Sequence, residues 1–289
     1  MDILAEIEDK YPQFSKGQKK IADYISAHAD KAAFMTAAKL GATVGVSEST
    51  VVRFAYEIGF EGYPDLSRAL QQIIRTQLTS VQRIEVTRDR IGAGSVLEEV
   101  LTQDMDKIKR TLEETSRRDF EEAAAAIANA RSIYVIGDRS ASALARFAHY
   151  YLNLMFENVR LVTTTSSSDL FEQIMRVGSE DAVIGISFPR YSNMTVQAFS
   201  FAAPSGAKII AVTDGPNSPL AQDATYLLSA RSDMNSFVDS LVAPLSLLNA
   251  LLVQVSMNKQ EEVVGTFRRL ESIWDEYHVY QNARDRAGQ

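Results

Sequence analysis

The sequence predicts two domains: an all-α N-terminal domain built around a helix-turn-helix, then an α/β domain with a five-stranded parallel sheet flanked by helices. Three observations carry this expectation. Up to Thr79 the apolar residues recur at helical spacing, broken only by glycines and cap residues. After Ala130 the rhythm changes to short β-branched runs alternating with helical stretches, the pattern of parallel strands covered on both faces. And 289 residues suffice for two separate cores.

Taken in order, Ser15 to His28 carries Ile21, Tyr24 and Ile25 at helical spacing, and a short helix is expected around Ala32 to Met35. Thr36 then caps a helix that ends at Gly45, and Ser47 opens the next, which stops before Gly59. Leu40, Val44, Val46, Val51 and Phe54 form the apolar set across the turn. Gly41 sits where the two helices approach, and Gly45 supplies the positive φ of the turn. Ser47 can accept from the N–H of Ser49 or Thr50. Asp65 to Leu78 makes a further amphipathic helix, for a five-helix unit spanning residues 1–79. The apolar period lapses at Thr79 to Ser95, where Gly92-Ala93-Gly94-Ser95 breaks the chain, so residues 80–95 are expected as a linker.

Residues 96–289 follow as one domain. Helices are expected at Val96–Glu114 and Asp119–Ala128, and strands at Ser132–Gly137, Asn158–Thr163, Asp181–Ser187, Ala207–Thr213 and Ala224–Ser229. Between the strands lie helices at Ser142–Phe156, Asp169–Val177 and Met194–Ala203, and a capped turn at Ser218. A long apolar helix, Phe237–Met257, and an amphipathic one, Glu261–Gln281, through Val264, Phe267, Leu270, Trp274 and Tyr277, close the chain.

Composition narrows the class. With 46% apolar and 23% charged residues the chain reads as soluble and globular, and with no cysteine it offers neither disulfides nor a thiolate metal site. The N-terminus shows no secretory pattern, and Leu241–Val255 is too short to span a bilayer, so a cytoplasmic location without membrane partners is expected. The net charge of −7 does not advertise nucleic-acid binding. Met1 to Thr79 holds nine Lys/Arg against ten Asp/Glu, so DNA contact would rest on a local patch of Lys16, Lys19, Lys20, Lys39, Arg53 and Arg68.

The candidate reading helix turns Glu48, Ser49, Thr50, Arg53, Tyr56 and Glu57 outward. Short polar residues at its start and an arginine one turn later suit base-edge and phosphate contact in a major groove. Ser47 is a cap first, with phosphate contact in addition. In the second domain a ligand belongs beyond the carboxyl ends of the strands. The loops there are Gly137-Asp138-Arg139-Ser140-Ala141-Ser142, Ser187-Phe188-Pro189-Arg190-Tyr191-Ser192-Asn193-Met194-Thr195 and Thr213-Asp214-Gly215-Pro216-Asn217-Ser218-Pro219-Leu220.

Gly45-Val46-Ser47-Glu48-Ser49-Thr50-Val51-Val52-Arg53-Phe54, with Ile58-Gly59-Phe60-Glu61-Gly62-Tyr63, resembles the N-terminal domain of RpiR-type bacterial transcription regulators. The second part resembles the SIS (sugar isomerase) domain that follows it in those proteins. The resemblance implies a DNA-binding regulator of carbohydrate metabolism whose SIS domain senses a phosphosugar. The family's phosphate loop, Ser-x-Ser-Gly-x-Thr, maps with a three-residue insertion onto Ser187, Ser192 and Thr195, with Asn193 at the glycine. Its first loop, Gly-x-Gly-x-Ser, keeps Gly137, has Arg139 at the second glycine, and shifts the serine to Ser140 or Ser142. Arg139 and Arg190 at neighbouring strand ends would favour a doubly anionic effector such as a phosphorylated sugar acid, unless Asp138 or Asp214 pairs with them.

The expected DNA contacts are thus Ser47, Glu48, Ser49, Thr50, Arg53, Tyr56 and Lys39. The expected effector contacts are Arg139, Ser140, Ser142, Ser187, Arg190, Ser192, Asn193 and Thr195. Expected partners are a roughly palindromic double-stranded operator, a small anionic sugar phosphate, and a second copy in a homodimer or tetramer assembled through the SIS domain, with Phe237–Met257 offering spare apolar surface. No catalytic residue, cofactor or metal is expected: His28, His149, His278 and Glu172 form no acid/base couple in the sequence. Two alternatives remain, a sugar-phosphate isomerase and a phosphosugar-sensing protein that binds a protein partner instead of DNA.

Overall fold

The computed structural model describes residues 3–74, 79–91, 94–163, 166–234 and 236–280. The chain divides into two compact units, Met1–Gln103 with Met234–Asp239, and Asp104–Asp233 with Ser240–Gln289.

The first unit is helical: α1 (Ile3–Lys10), α2 (Lys16–Ala27), α3 (Ala29–Ala32), α4 (Ala37–Val44), α5 (Glu48–Glu57), α6 (Tyr63–Ile74) and α7 (Ser80–Ile91). Its core gathers Ile21, Ile25, Leu40, Val51, Phe54, Ile58 and Leu66, all fully buried. Val44 and Val46 pack on that core, so the apolar set expected across the turn is assembled. Helix starts follow local chemistry. Ser15 accepts from the Gln18 N–H while the Gln18 side chain accepts from the Ser15 N–H, a reciprocal capping box. Thr36 Oγ1 accepts from the Lys39 N–H at 3.1 Å. The Tyr63 hydroxyl donates to the carbonyls of Ala32 and Met35 at 3.2 and 3.0 Å. Burial pushes its phenol up to about 12.

Four expectations about this unit change. Helix α1 was not anticipated, yet Ile3 and Ile7 are buried in the core. The short helix lies at Ala29–Ala32 rather than Ala32–Met35, because residues 33–35 turn into the Thr36 cap. The segment read as a linker holds α7. Its start is another capping box, Thr79 Oγ1 accepting from the Gln82 N–H and Gln82 Oε1 from the Thr79 N–H. Apolar spacing missed α7 because an ion pair anchors it: Arg83, 1% exposed, meets Asp239 at 2.7 Å. The division into units accordingly falls within α8 (Val96–Glu114) and not at residues 80–95. The expected extension of α6 to Leu78 and Gly92-Ala93 of the breaker cluster lie outside the described residues, whereas the last helix stops at Glu276, with Tyr277 as its C-cap, short of the expected Gln281.

The second unit is built on five parallel strands, β1 (Ile133–Gly137), β2 (Val159–Val162), β3 (Ala182–Ile186), β4 (Lys208–Thr213) and β5 (Tyr226–Ser229), in the order β2-β1-β3-β4-β5. Alternate residues feed two cores. Ile133, Val135, Ile184, Ile210 and Val212 face one side, with α9 (Arg117–Ala128), α10 (Ala141–Met155) and α13 (Val242–Asn258) supplying its helical residues. Tyr134, Val183, Ile209 and Ala211 face the other, with α11 (Ser167–Ile174) and α12 (Asn193–Ala202). A 3₁₀ turn, Pro219–Gln222, follows the Ser218 cap as expected. The last helix, α14 (Gln260–Glu276), buries only Val263.

Helix α13 starts at Val242, not Phe237. Met234 and Asp239 form an isolated antiparallel bridge, and the Ser240 hydroxyl, donating to Asp104 at 2.7 Å, accepts from the Val242 N–H. The spare apolar surface expected of this helix is mostly spent at home. Ala243, Pro244, Leu247, Leu248, Leu251, Leu252 and Val255 are buried in their own chain. Among the described residues, no helix is long and apolar enough to cross a membrane.

Candidate functional site

The helix-turn-helix is set by steric limits on its backbone. A Cβ on Gly41 would lie 2.8 Å from the Val46 carbonyl oxygen and 3.4 Å from the Glu48 nitrogen, so α4 and α5 cross where only glycine fits. Gly45 ends α4 in the left-handed region, at φ 71° and ψ 46°. Of the two possible cap partners, Ser47 takes the Thr50 N–H, at 3.3 Å. Its Oγ also lies 2.9 Å from Ser49 Oγ and 2.9 Å from Thr50 Oγ1, so three hydroxyls cluster at the head of α5. Free N–H groups and the helix dipole favour an anion at such a point.

One turn on, Arg53 Nε donates to the Ser49 carbonyl at 3.3 Å, which holds the guanidinium along the helix. Ser47, Glu48, Ser49, Arg53, Tyr56 and Lys39 are exposed, and Thr50 is half-buried. Of the basic patch, Lys20 lies beside the turn: a Cβ on Gly45 would sit 3.9 Å from its Nζ. Lys16 is exposed, whereas Lys19 rests over the Tyr11 ring at 5.3 Å and Arg68 pairs with Asp65 at 3.3 Å.

In the second unit the strand order reverses between β1 and β3, the switch point at which open parallel sheets bind ligands beyond the strand ends. The loops leaving those two strands, with the first turns of α10 and α12 that follow them, carry all eight expected effector residues. Gly137 ends β1 with its Cα against the start of α10; a Cβ would lie 2.8 Å from the Ala141 carbonyl oxygen. Asp138 joins the loops, its Oδ1 accepting from the Arg139 N–H at 2.7 Å and its Oδ2 from the Ser192 hydroxyl at 2.9 Å. Ser187 Oγ accepts from the Ser192 N–H at 3.0 Å, and Ser192 Oγ, the cap of α12, accepts from the Met194 N–H at 3.2 Å.

Ser187, Ser192 and Thr195 are buried at the head of α12, and Thr195 Oγ1 has no hydrogen-bond partner among the described residues. An unpaired buried hydroxyl is costly unless something else satisfies it. Ser142 donates to the Arg139 carbonyl at 2.7 Å, while Ser140 and Asn193 are exposed. Arg139, at φ 54°, and Arg190 are both exposed, and neither makes an ion pair among the described residues. The acids weighed as their partners are engaged otherwise. Asp138 bonds to the loop, and Asp214 accepts from the Tyr191 hydroxyl at 2.8 Å. Sequence reasoning missed Asp138 and Tyr191 as loop fasteners. The one signal was a carboxylate directly after the strand-ending glycine.

Of the residues weighed for isomerase chemistry, His28 packs at a tilt against Tyr24 in the helical unit, His278 is exposed after α14, and Glu172 accepts from Ser168 on α11.

Comparison with known proteins agrees with this two-part make-up. The model of the helix-turn-helix domain of the rpiR family matches residues 1–77, and that of the SIS domain matches residues 126–254. The fold and site thus define a helix-turn-helix regulator that carries a SIS domain. The chain belongs to the RpiR-type transcription regulators.

Among its relatives, the HTH-type transcriptional regulator HexR of Escherichia coli strain K12 is 24% identical over 286 residues, covering 96% of this chain and 95% of that protein. The sugar isomerase domain of an RpiR transcription factor from Sphaerobacter thermophilus is 28% identical with a TM-score of 0.57, over 60% of this chain and 97% of that one. The Vibrio vulnificus NanR protein, solved in complex with ManNAc-6P, shares the fold at 20% identity and a TM-score of 0.58, over 97% of this chain and 100% of that one.

Proposed function

We propose that the protein regulates carbohydrate genes in the cytoplasm by binding a roughly palindromic operator as a two-fold assembly, and that a small sugar phosphate at the β1/β3 switch point tunes this binding. In this reading Ser49, Thr50 and Arg53 meet base edges and phosphates, with Ser47, Glu48, Tyr56 and Lys39 around them. The effector's phosphate lies at the head of α12 against Ser187, Ser192, Asn193 and Thr195. Arg139, Arg190 and the Ser140–Ser142 turn close over a second anionic group.

The observation that carries this reading is the buried, unpartnered Thr195 hydroxyl beside the capped start of a helix at the switch point. A ligand oxygen there would receive its hydrogen bond. The two uncommitted guanidiniums favour a doubly anionic ligand, a phosphorylated sugar acid, over a simple phosphosugar. That a fold neighbour was solved with ManNAc-6P supports the ligand class, not its identity. Effector binding would bias the reading helices through α8, with a coupling of typically ~1–3 kcal/mol.

Calorimetric titration with phosphosugars and phosphorylated sugar acids tests the ligand. Arg190→Ala should weaken a phosphorylated sugar acid by about tenfold or more and a neutral-sugar phosphate less, given ~1.5–3 kcal/mol for a hydrogen bond to a charged group. Equal, unchanged affinities for both ligands in the variant would refute the clamp.

A further inference from the structure

Helix α8 is turned inside out. The side it shows to its own chain is polar: Asp104, Lys107 and Thr111 are buried there, Lys107 Nζ meeting Asp104 at 3.1 Å and Thr111 Oγ1 accepting from the Arg231 N–H at 2.9 Å. The side it shows to solvent is apolar. Leu97, Leu101, Met105, Ile108 and Leu112 range from 38% exposed at Ile108 to 77% at Leu112. At 3.6 residues per turn these five fall within an arc of about 80°, a continuous seam along the helix. Leaving such a seam in water forgoes the largest favourable term available to the side chains, of order 1.5–3 kcal/mol for each one fully buried.

We infer that this seam pairs with the same seam of a second copy of the chain, the two α8 helices running antiparallel about a two-fold axis near Met105. The inference rests on the two-copy part of the proposed function and names its surface. The pattern is its own complement. In an antiparallel pair Leu97 of one copy faces Leu112 of the other, Leu101 faces Ile108, and the two Met105 side chains meet at the axis. The charges agree. Glu98 and Lys109 flank the seam on the same edge, and neither has an ion-pair partner among the described residues. A two-fold axis brings like edges together, so each Lys109 faces the second copy's Glu98, and each Glu98 faces that copy's Lys109. A parallel pair would put these edges on opposite sides of the interface, so that neither Lys109 faces a Glu98. Helix α8 is also the segment through which effector binding would act, so this pairing would place the signal at the assembly's symmetry axis.

The chain has no cysteine, which makes a single introduced thiol a clean reporter. Mild oxidation of the full-length Met105→Cys variant should give a covalent dimer. Asp106→Cys, an exposed position on the opposite side of the helix, should stay uncrosslinked under the same conditions. In sedimentation equilibrium, Lys109→Glu should raise the dimer dissociation constant about tenfold through two reversed pairs. Glu98→Lys combined with Lys109→Glu should restore it. A dimer that survives Leu101→Glu with Leu112→Glu, or equal crosslinking at both positions, overturns the α8 assignment and leaves the two-fold reading intact. A wild-type chain that stays monomeric at high micromolar concentration overturns both.

Discussion

Replacing Gly41 by alanine adds one methyl group at the crossing of α4 and α5. Two effects oppose each other. Alanine is favoured over glycine in a helix interior by about 1 kcal/mol. Against this, the new Cβ would sit 2.8 Å from the Val46 carbonyl oxygen and 3.4 Å from both the Ser47 carbonyl carbon and the Glu48 nitrogen. All three are backbone atoms of the turn, so no side chain can rotate away and the helices themselves must separate. Overpacking of this kind costs roughly 1–3 kcal/mol, and a shift of rigid backbone belongs in the upper half of that range. The net expectation is a loss of about 1–2 kcal/mol, local to the reading unit.

Hydrogen exchange of peptides covering residues 37–57 measures this loss directly, as faster exchange by about five- to thirtyfold. Gly265→Ala is the internal control. It lies within α14 with nothing within 4 Å of its Cβ position, so the helix-propensity term alone acts and the variant should be more stable. If Gly41→Ala also protects its own segment, the close crossing is not what requires glycine and the steric argument fails.

Ser47→Ala removes both the cap of α5 and the centre of its hydroxyl cluster. It should cost about 1 kcal/mol by urea titration and weaken operator binding in a gel-shift titration by more than that loss explains. Alkaline stability should report Tyr63. Its phenol rises from an ordinary value near 10 to about 12 in the folded chain, so its stabilising contribution is complete below pH 10 and disappears as the pH climbs from 10 to 12. Denaturation followed by circular dichroism should therefore fall less steeply over that window in Tyr63→Phe than in the wild type.

What the sequence by itself determined was whatever a few neighbouring residues decide among themselves. The cap at Ser47, the left-handed Gly45, the close approach at Gly41 and the short apolar strands each follow from steric or hydrogen-bonding limits acting within seven residues. The eight effector candidates were legible for a related reason. A parallel sheet puts its loops at one edge, and the run from Ser187 to Thr195 is visibly a strand end followed by a cap.

Tertiary structure decided what depends on partners far along the chain. Helix α7 is anchored by Arg83 and Asp239, 156 residues apart, and no local period announces such a pair. Asp138 fastens the first loop to Ser192, 54 residues on, which took both loops in place to see. The orientation of α8 belongs here as well. Periodicity identifies its apolar stripe but not which stripe the chain buries. Ser240 and Arg231, reached through the fold, claim the polar side for the interior, and the stripe that a sequence reader would assign to the core is left facing out.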